Sequence, residues 1–228
     1  MFLRIALILT GLIVLANCGI PPVNDKLISD TPADAKSFAL AKKAVRACSD
    51  LSSSRAVKSN FENAGFAVST MQVELKNGAA IERLLISSPN KDVSIRYLGN
   101  KCYVGLEQMT PNQSFQLAKI WADAHDAKPN SAYGDGLSDH VAGAWRRFFS
   151  EPPRLPVKAT YHHRVYVAAY KTWPHGPYAP QRNTAFPIEP FPNVPGAAVM
   201  LSHIADCSTY ISTMPHSGTC PGADYRPR

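Results

Sequence analysis

The chain lacks an apolar run long enough to cross a membrane, and it lacks runs of like charge. Its longest uncharged apolar stretch, 5–16, has about a dozen residues, whereas a membrane-spanning helix needs roughly twenty. Charged residues make up only 18% of the chain, and the net charge of +7 is spread along it. Proteins that bind nucleic acid concentrate their cations in a patch or an arm. We therefore expect no nucleic-acid partner.

Familiar catalytic and metal-binding motifs are absent as well. The sequence contains no G-x-S-x-G, no glycine-rich phosphate loop and no H-E-x-x-H. Its five cysteines are far apart, whereas structural zinc sites use closely spaced pairs. His162 and His163 are adjacent, so a strand would point them to opposite faces. We predict no cofactor and no metal site, with one of these two histidines packed and the other solvated.

What the chain does have is an N-terminal export signal. Arg4 precedes the apolar run, and Leu15-Ala16-Asn17-Cys18 spans its end, which is typical of a cleaved signal peptide. Pro21 and Pro22 cannot continue a helix beyond this point. The four residues that end at Cys18 resemble the lipobox of bacterial lipoproteins. The resemblance covers only this stretch, and it implies a signal peptide over 1–17 and a lipid, including palmitate, on Cys18.

By the same resemblance, the protein is a cell-envelope lipoprotein that faces the periplasm and is anchored in a membrane by its N-terminal lipid. Gly19 after the cysteine favours the outer membrane. Ordinary cleavage after Ala16 is the alternative, and it would give a soluble periplasmic or secreted protein. Cysteine parity supports lipidation, because thiols of exported proteins tend to pair. A lipid on Cys18 leaves four cysteines, enough for two disulfides.

Hydrophobic periodicity predicts an α+β domain over 31–128, after a tether over 18–30. The order of elements is α-α-β-β-β-β-α, an antiparallel four-stranded meander with helices on one face. Asn77-Gly78 is a hairpin signal between the first two strands. Thr31 and Thr110 are the predicted N-caps of the first and last helices, each followed by proline at the first helical position.

Residues 137–228 are predicted to form a proline-rich C-terminal β extension packed on the first domain. Its elements are a short helix over Ser138–Phe149, strands over Val157–Tyr170 and Ala197–Ile204, and a long loop between the strands. Prolines in this loop exclude regular structure there. The tail from Cys207 onward is expected to be irregular.

We predict the disulfides Cys48–Cys102 and Cys207–Cys220. Cys48 lies on the apolar stripe of the first helix, and Cys102 shares a strand face with Val104. A bridge there would join helix to sheet, and the second bridge would close the C-terminal tail. The alternative is that Cys48 and Cys102 are buried free thiols.

Two groups of residues are candidates for a functional site. Trp173, His175 and Tyr178 open the proline-rich loop and form a candidate binding loop for an envelope protein or a glycan. The alternative is that the aromatic residues of this loop plug the core. Asp135, Asp139 and His140 could form an acid/base loop, although a helix start capped by Ser138 accounts for the same residues.

The function class that these patterns favour is an exported envelope protein of unassigned specific role, acting by binding or assembly rather than by catalysis. One alternative is a secreted hydrolase that uses the Asp135–His140 group together with His175. The other is an inhibitor or immunity-type protein that occupies a partner's site with the proline-rich loop.

The lipid on Cys18 is directly testable. Mass spectrometry of protein extracted from membranes should find a diacylglyceryl-modified Cys18 at the mature N-terminus, because the lipobox places the cleavage before this cysteine. A soluble mature form that begins at Asn17 would contradict this prediction.

Overall fold

The computed structural model describes residues 23–51, 53–74, 80–89, 93–97, 101–130, 139–151, 159–173 and 194–209. Within these ranges the chain has three α-helices and eight strands, preceded by one 3-10 turn over Asp25–Leu27. The helices are α1 (Ala35–Ala47), α2 (Ser54–Asn63) and α3 (Pro111–Ala124). The strands are β1 (Ala67–Glu74), β2 (Ala80–Ser87), β3 (Val93–Tyr97), β4 (Lys101–Glu107), β5 (Lys128–Pro129), β6 (Val141–Glu151), β7 (Ala159–Tyr170) and β8 (Gly196–Thr209).

The strands form two antiparallel sheets rather than one meander. Strands β1 and β2 pair with each other, and the remaining six are ordered β3-β4-β8-β7-β6-β5. The mixed helix and antiparallel-sheet architecture is therefore confirmed, but the four predicted strands are divided between two sheets. The reason lies in β8, whose residues 197–201 are buried. A strand buried on both faces needs hydrogen-bonded neighbours on both sides, and β4 supplies one of them.

Helix starts follow their capping residues. At α3 the predicted N-cap, Thr110, is part of a capping box: the Thr110 side chain accepts a hydrogen bond from the Gln113 N–H, and the Gln113 side chain accepts one from the Thr110 N–H. For α1 the predicted cap is wrong, since Asp34 rather than Thr31 accepts from the first-turn N–H groups. Gln113 explains the difference: its side chain hydrogen-bonds both the N–H and the C=O of Ala33 and keeps this residue out of the helix.

The predicted C-terminal helix is also wrong. Residues 141–151 form strand β6, which pairs with β7 along ten registered positions. The apolar spacing that suggested a helix also fits alternation, since Trp145 is 8% exposed and Phe148 is 55% exposed. A short apolar run can fit both the helical period of 3.6 residues and the strand period of two residues. Here the pairing with the long strand β7 favours the strand. Strand β7 agrees with its prediction, whereas β8 continues to Thr209, past the expected start of the tail at Cys207.

All three helices belong to the main hydrophobic core, together with one face of the six-stranded sheet. We call this face the inner face and the opposite one the outer face. Alternate residues of the central strands contribute to the inner core, as Val104, Val167 and Leu201 do, each with no exposed surface. The residues between them face outward, where a smaller buried cluster contains Tyr103, Ala168, Tyr170, Trp173, Ala198 and Met200.

The predicted bridge between Cys48 and Cys102 is present. It joins the C-terminal end of α1 to the inner face of β4, with 6.1 Å between the two Cα atoms. Both residues are fully buried. The second predicted bridge stays a prediction, since Cys220 lies outside the described residues, as do Cys18 and the hairpin turn at Asn77-Gly78.

Replacing both bridged cysteines by alanine should lower the free energy of unfolding by about 4 kcal/mol. The bridge closes a loop with a sequence separation of 54 residues, and the chain-entropy model gives a stabilisation of that order for such a loop. Denaturant unfolding without reductant measures the difference between the wild type and the Cys48→Ala/Cys102→Ala variant. Equal unfolding midpoints would contradict the prediction.

Candidate functional site

Trp173, the first residue of the candidate binding loop, is buried on the outer face. Its exposed fraction is 1%, and it packs with Tyr103, Tyr170 and Met200. The residue therefore plugs an outer cluster instead of presenting an anchor to a partner. His175 and Tyr178 lie outside the described residues, so a binding role for them stays a prediction.

Gly105 of β4 makes room for this indole. A Cβ atom at this position would lie 2.4 Å from two Trp173 ring carbons, a distance that no side chain could adopt without displacing the ring. Burial raises the pKa of Tyr103 well above its usual range, and the neighbouring Tyr170 adds to the rise. Tyr103 is therefore neutral at physiological pH and serves packing.

The outer face becomes polar toward the C-terminal end of β6 and the paired N-terminal end of β7. Three cross-strand pairs lie side by side there: Arg146 opposite Tyr166, Phe148 opposite Arg164, and Ser150 opposite His162. We call these six residues the β6–β7 outer patch. Phe148 is its most exposed aromatic residue, with 55% of its surface accessible, and the Arg146 guanidinium lies 5.3 Å from the Phe148 ring centroid.

On the inner face, the same end of the sheet carries a stack of rings. Phe149 and His163 are parallel with centroids 4.7 Å apart, and His163 stacks on His203 at 5.1 Å. The two imidazoles also share a hydrogen bond, with 2.9 Å between His163 Nδ1 and His203 Nε2. Arg147 caps the stack, its guanidinium 5.1 Å from the Phe149 centroid.

The contrast between the adjacent histidines agrees with the prediction from strand alternation. His163 is packed at 3% exposure, and His162 is exposed. With so little accessible surface, the His163 imidazole contacts neighbouring rings rather than a substrate. Within the described residues, no cluster of three or more His, Cys, Asp or Glu side chains could hold a metal ion.

Ser150 and His162 are the pair in the patch that most resembles catalytic machinery. Ser150 Oγ lies 2.9 Å from His162 Nδ1, and the strand register places Asp206 next to His162 on β8. Hydrolysis also needs N–H donors aimed at the developing oxyanion, in a site from which water is excluded. Both residues are exposed on a strand surface, where water has free access. The geometry therefore favours a surface hydrogen bond.

The residues of the hydrolase alternative lie elsewhere. Asp139 and His140 form a turn before β6, and the His140 carbonyl accepts a hydrogen bond from the Lys171 N–H at 2.9 Å. Because Asp139 and His140 precede a strand, their interpretation as a helix start is wrong. Ser150 comes ten positions after His140, which is roughly 30 Å along β6. Asp135 and His175 lie outside the described residues.

The surface patch was missed because its three β6 residues, at positions 146, 148 and 150, were not predicted to lie on a strand. Read with period two, these residues share one strand face, opposite the face of Trp145 and Phe149, and this alternation could have identified them. Among the helices of the described ranges, none is long and apolar enough to cross a bilayer.

Trp173→Ala should destabilise the fold by about 3–5 kcal/mol, the cost of truncating a buried aromatic residue. Thermal or denaturant unfolding measures this loss. Phe148→Ala removes an aromatic side chain from the exposed outer patch and is the matched control, for which we expect a change of about 0.5 kcal/mol or less. Unchanged stability of Trp173→Ala would show that the indole does not plug the outer cluster.

Comparison of the chain with protein-family models, with curated proteins and with solved structures finds no match.

Proposed function

We propose that the protein is an exported envelope lipoprotein, held on a membrane by lipid on Cys18, that acts by binding or assembly. The lipobox-like stretch at residues 15–18 supports the anchor. The membrane surface that it occupies is the periplasmic one, with the outer membrane favoured by Gly19. Its partner is an envelope protein or a glycan.

The observation that carries export is the Cys48–Cys102 bridge. The two residues are far apart in sequence, yet the fold brings them together as a disulfide within the core. Disulfides persist in exported proteins and are rare in the reducing cytosol. A signal sequence and a buried structural disulfide are independent features, and both favour the same compartment.

The start of the folded domain is compatible with a short lipid tether. Ala33 is fixed to α3 by two hydrogen bonds with the Gln113 side chain, of 2.9 and 3.1 Å. Fifteen residues lead from Cys18 to Ala33, and a chain of that length reaches at most roughly 50 Å. A lipid on Cys18 would therefore keep the domain close to the bilayer.

Binding is favoured over catalysis by the β6–β7 outer patch. It combines an exposed phenylalanine, two arginines and a tyrosine on adjacent strands. Arginine and aromatic residues are enriched at protein interfaces and at their energetic hot spots. Because two of the six side chains are cationic, the patch suits an acidic surface on an envelope protein or an anionic glycan.

The patch can be tested with the full-length protein in envelope preparations. The Arg146→Gln/Phe148→Ser variant should bind its cross-linked partner or anionic glycan about thirtyfold more weakly than the wild type, because hot-spot truncation commonly costs 2 kcal/mol or more. Its unfolding midpoint should be unchanged, since both side chains are exposed.

Leu85→Ser is the matched control for this experiment. Leu85 is 47% exposed, similar to Phe148, but lies on the separate β1–β2 sheet. Equal loss of partner in Leu85→Ser and in the patch variant would show that binding does not depend on the β6–β7 outer patch.

A further inference from the structure

Helix α1 carries an unusual concentration of positive charge. Its 13 residues include Lys36, Lys42, Lys43 and Arg46 and no acidic residue. At 3.6 residues per turn, these four positions fall within an arc of roughly 120° on the side of the helix away from the core. Lys36, Lys43 and Arg46 are exposed and Lys42 is half-buried, with its Nζ 4.7 Å from the Phe38 ring centroid. We call these four residues the α1 cationic face.

Each of the other two helices contains an acidic residue that pairs with a lysine. On α2 the ammonium of Lys58 is 3.9 Å from a carboxylate oxygen of Glu62, and on α3 Lys119 pairs with Asp123 at 2.8 Å. A third ion pair joins Lys128 and Asp126. None of these three pairs involves α1. Its cationic face is therefore a local concentration of charge that the rest of the helical layer does not share.

The place of α1 in the chain indicates what this face could meet. It is the first α-helix of the described residues, and its first residue, Ala35, comes 17 positions after Cys18. A lipid at that distance would hold the helix at high effective concentration near the bilayer surface. Anionic headgroups attract juxtamembrane basic residues, and each lysine or arginine near the surface strengthens binding about fivefold.

We infer that the α1 cationic face binds anionic phospholipid headgroups of the membrane in which the protein is anchored. The attachment then has two signals, one acyl anchor and one basic helix face, as stable membrane attachment commonly requires. Because four side chains on one rigid helix act together, the contact also orients the domain, with the α1 side of its helical layer toward the lipid. This inference rests on the proposed lipid anchor.

Lysine acylation in reconstituted vesicles tests the contact with the processed full-length protein. The protein is placed in vesicles of phosphatidylcholine alone or mixed with phosphatidylglycerol, and the labelling rate of each lysine is followed by peptide mass spectrometry. The labelling rates of Lys36 and Lys43 should be lower by a factor of about three or more in the anionic vesicles than in vesicles of phosphatidylcholine alone. High salt should abolish the difference, because it screens exposed charges.

Lys58 and Lys119 are internal controls, since they lie on the other helices and their side chains are 41% and 51% accessible. Their labelling rates should be equal in the two kinds of vesicle. Equal rates at Lys36 and Lys43 in both vesicles would overturn the inference. An equal slowing of all four lysines would overturn it too, because it would reflect the net charge of the protein and not the α1 face.

A pair of charge-matched variants locates the effect. Lys43→Gln/Arg46→Gln and Lys58→Gln/Lys119→Gln each remove two positive charges and introduce a good helix former. The first variant should lose most of the protection at Lys36, whereas the second should keep it. Loss of protection in both variants, or in neither, would overturn the inference.

Failure of the anchor is a separate outcome, read from the mass of Cys18 in the same preparation. If Cys18 is unmodified, the processed protein is sedimented with the same vesicles. Salt-sensitive binding to the anionic vesicles, weakened about tenfold or more by Lys43→Gln/Arg46→Gln, would then support the α1 contact without the anchor. The inference would be overturned if the protein did not bind the anionic vesicles. It would also be overturned if binding required an added acidic protein or glycan.

Discussion

The pairing of β4 with β8 is the interaction on which the rest of the structure depends. It joins a strand from residues 101–107 to one that begins at residue 196, in register over seven positions. Strand β8 then pairs with β7 along twelve positions on its other side, so the central strands cannot form until distant parts of the chain meet. Small residues at the pairing, such as Gly105, Ala197 and Ala198, let both faces of the sheet pack closely. Contacts of this sequence separation are slow to form, because loop-closure entropy opposes them first.

The disulfide, Trp173 and the β6–β7 outer patch each lie on one particular face of that sheet. The inner face carries Cys102 to the end of α1, where the disulfide joins helix to sheet. On the outer face, Trp173 fills the space above Gly105, and the β6–β7 outer patch lies farther along the strands. The division explains why neighbouring residues have opposite roles: Phe148 is exposed whereas Phe149 stacks on the packed His163.

Local signals in the sequence predicted local structure well. Thr110-Pro111-Asn112-Gln113 predicted the start of α3, and the full capping box is present. Helix α2 ends before Gly65, whose φ of +87° glycine adopts without strain. Where a tertiary contact intervenes, local signals fail. Pro32 and Ala33 have helix-start chemistry, but hydrogen bonds from Gln113 hold Ala33 in place, and Asp34 becomes the cap.

By itself, the sequence determined the order of the first seven elements, the alternation of His162 and His163, and the pairing of Cys48 with Cys102. These follow from periods of 3.6 and 2 and from the apolar faces on which the cysteines lie. Only the tertiary structure decided that β3 and β4 leave the first hairpin for a sheet with β8, and that residues 141–151 form a strand. It also decided that Asp34 rather than Thr31 caps α1. These outcomes depend on contacts with residues far away in the chain. No short stretch of sequence therefore contains all the interactions that decide them.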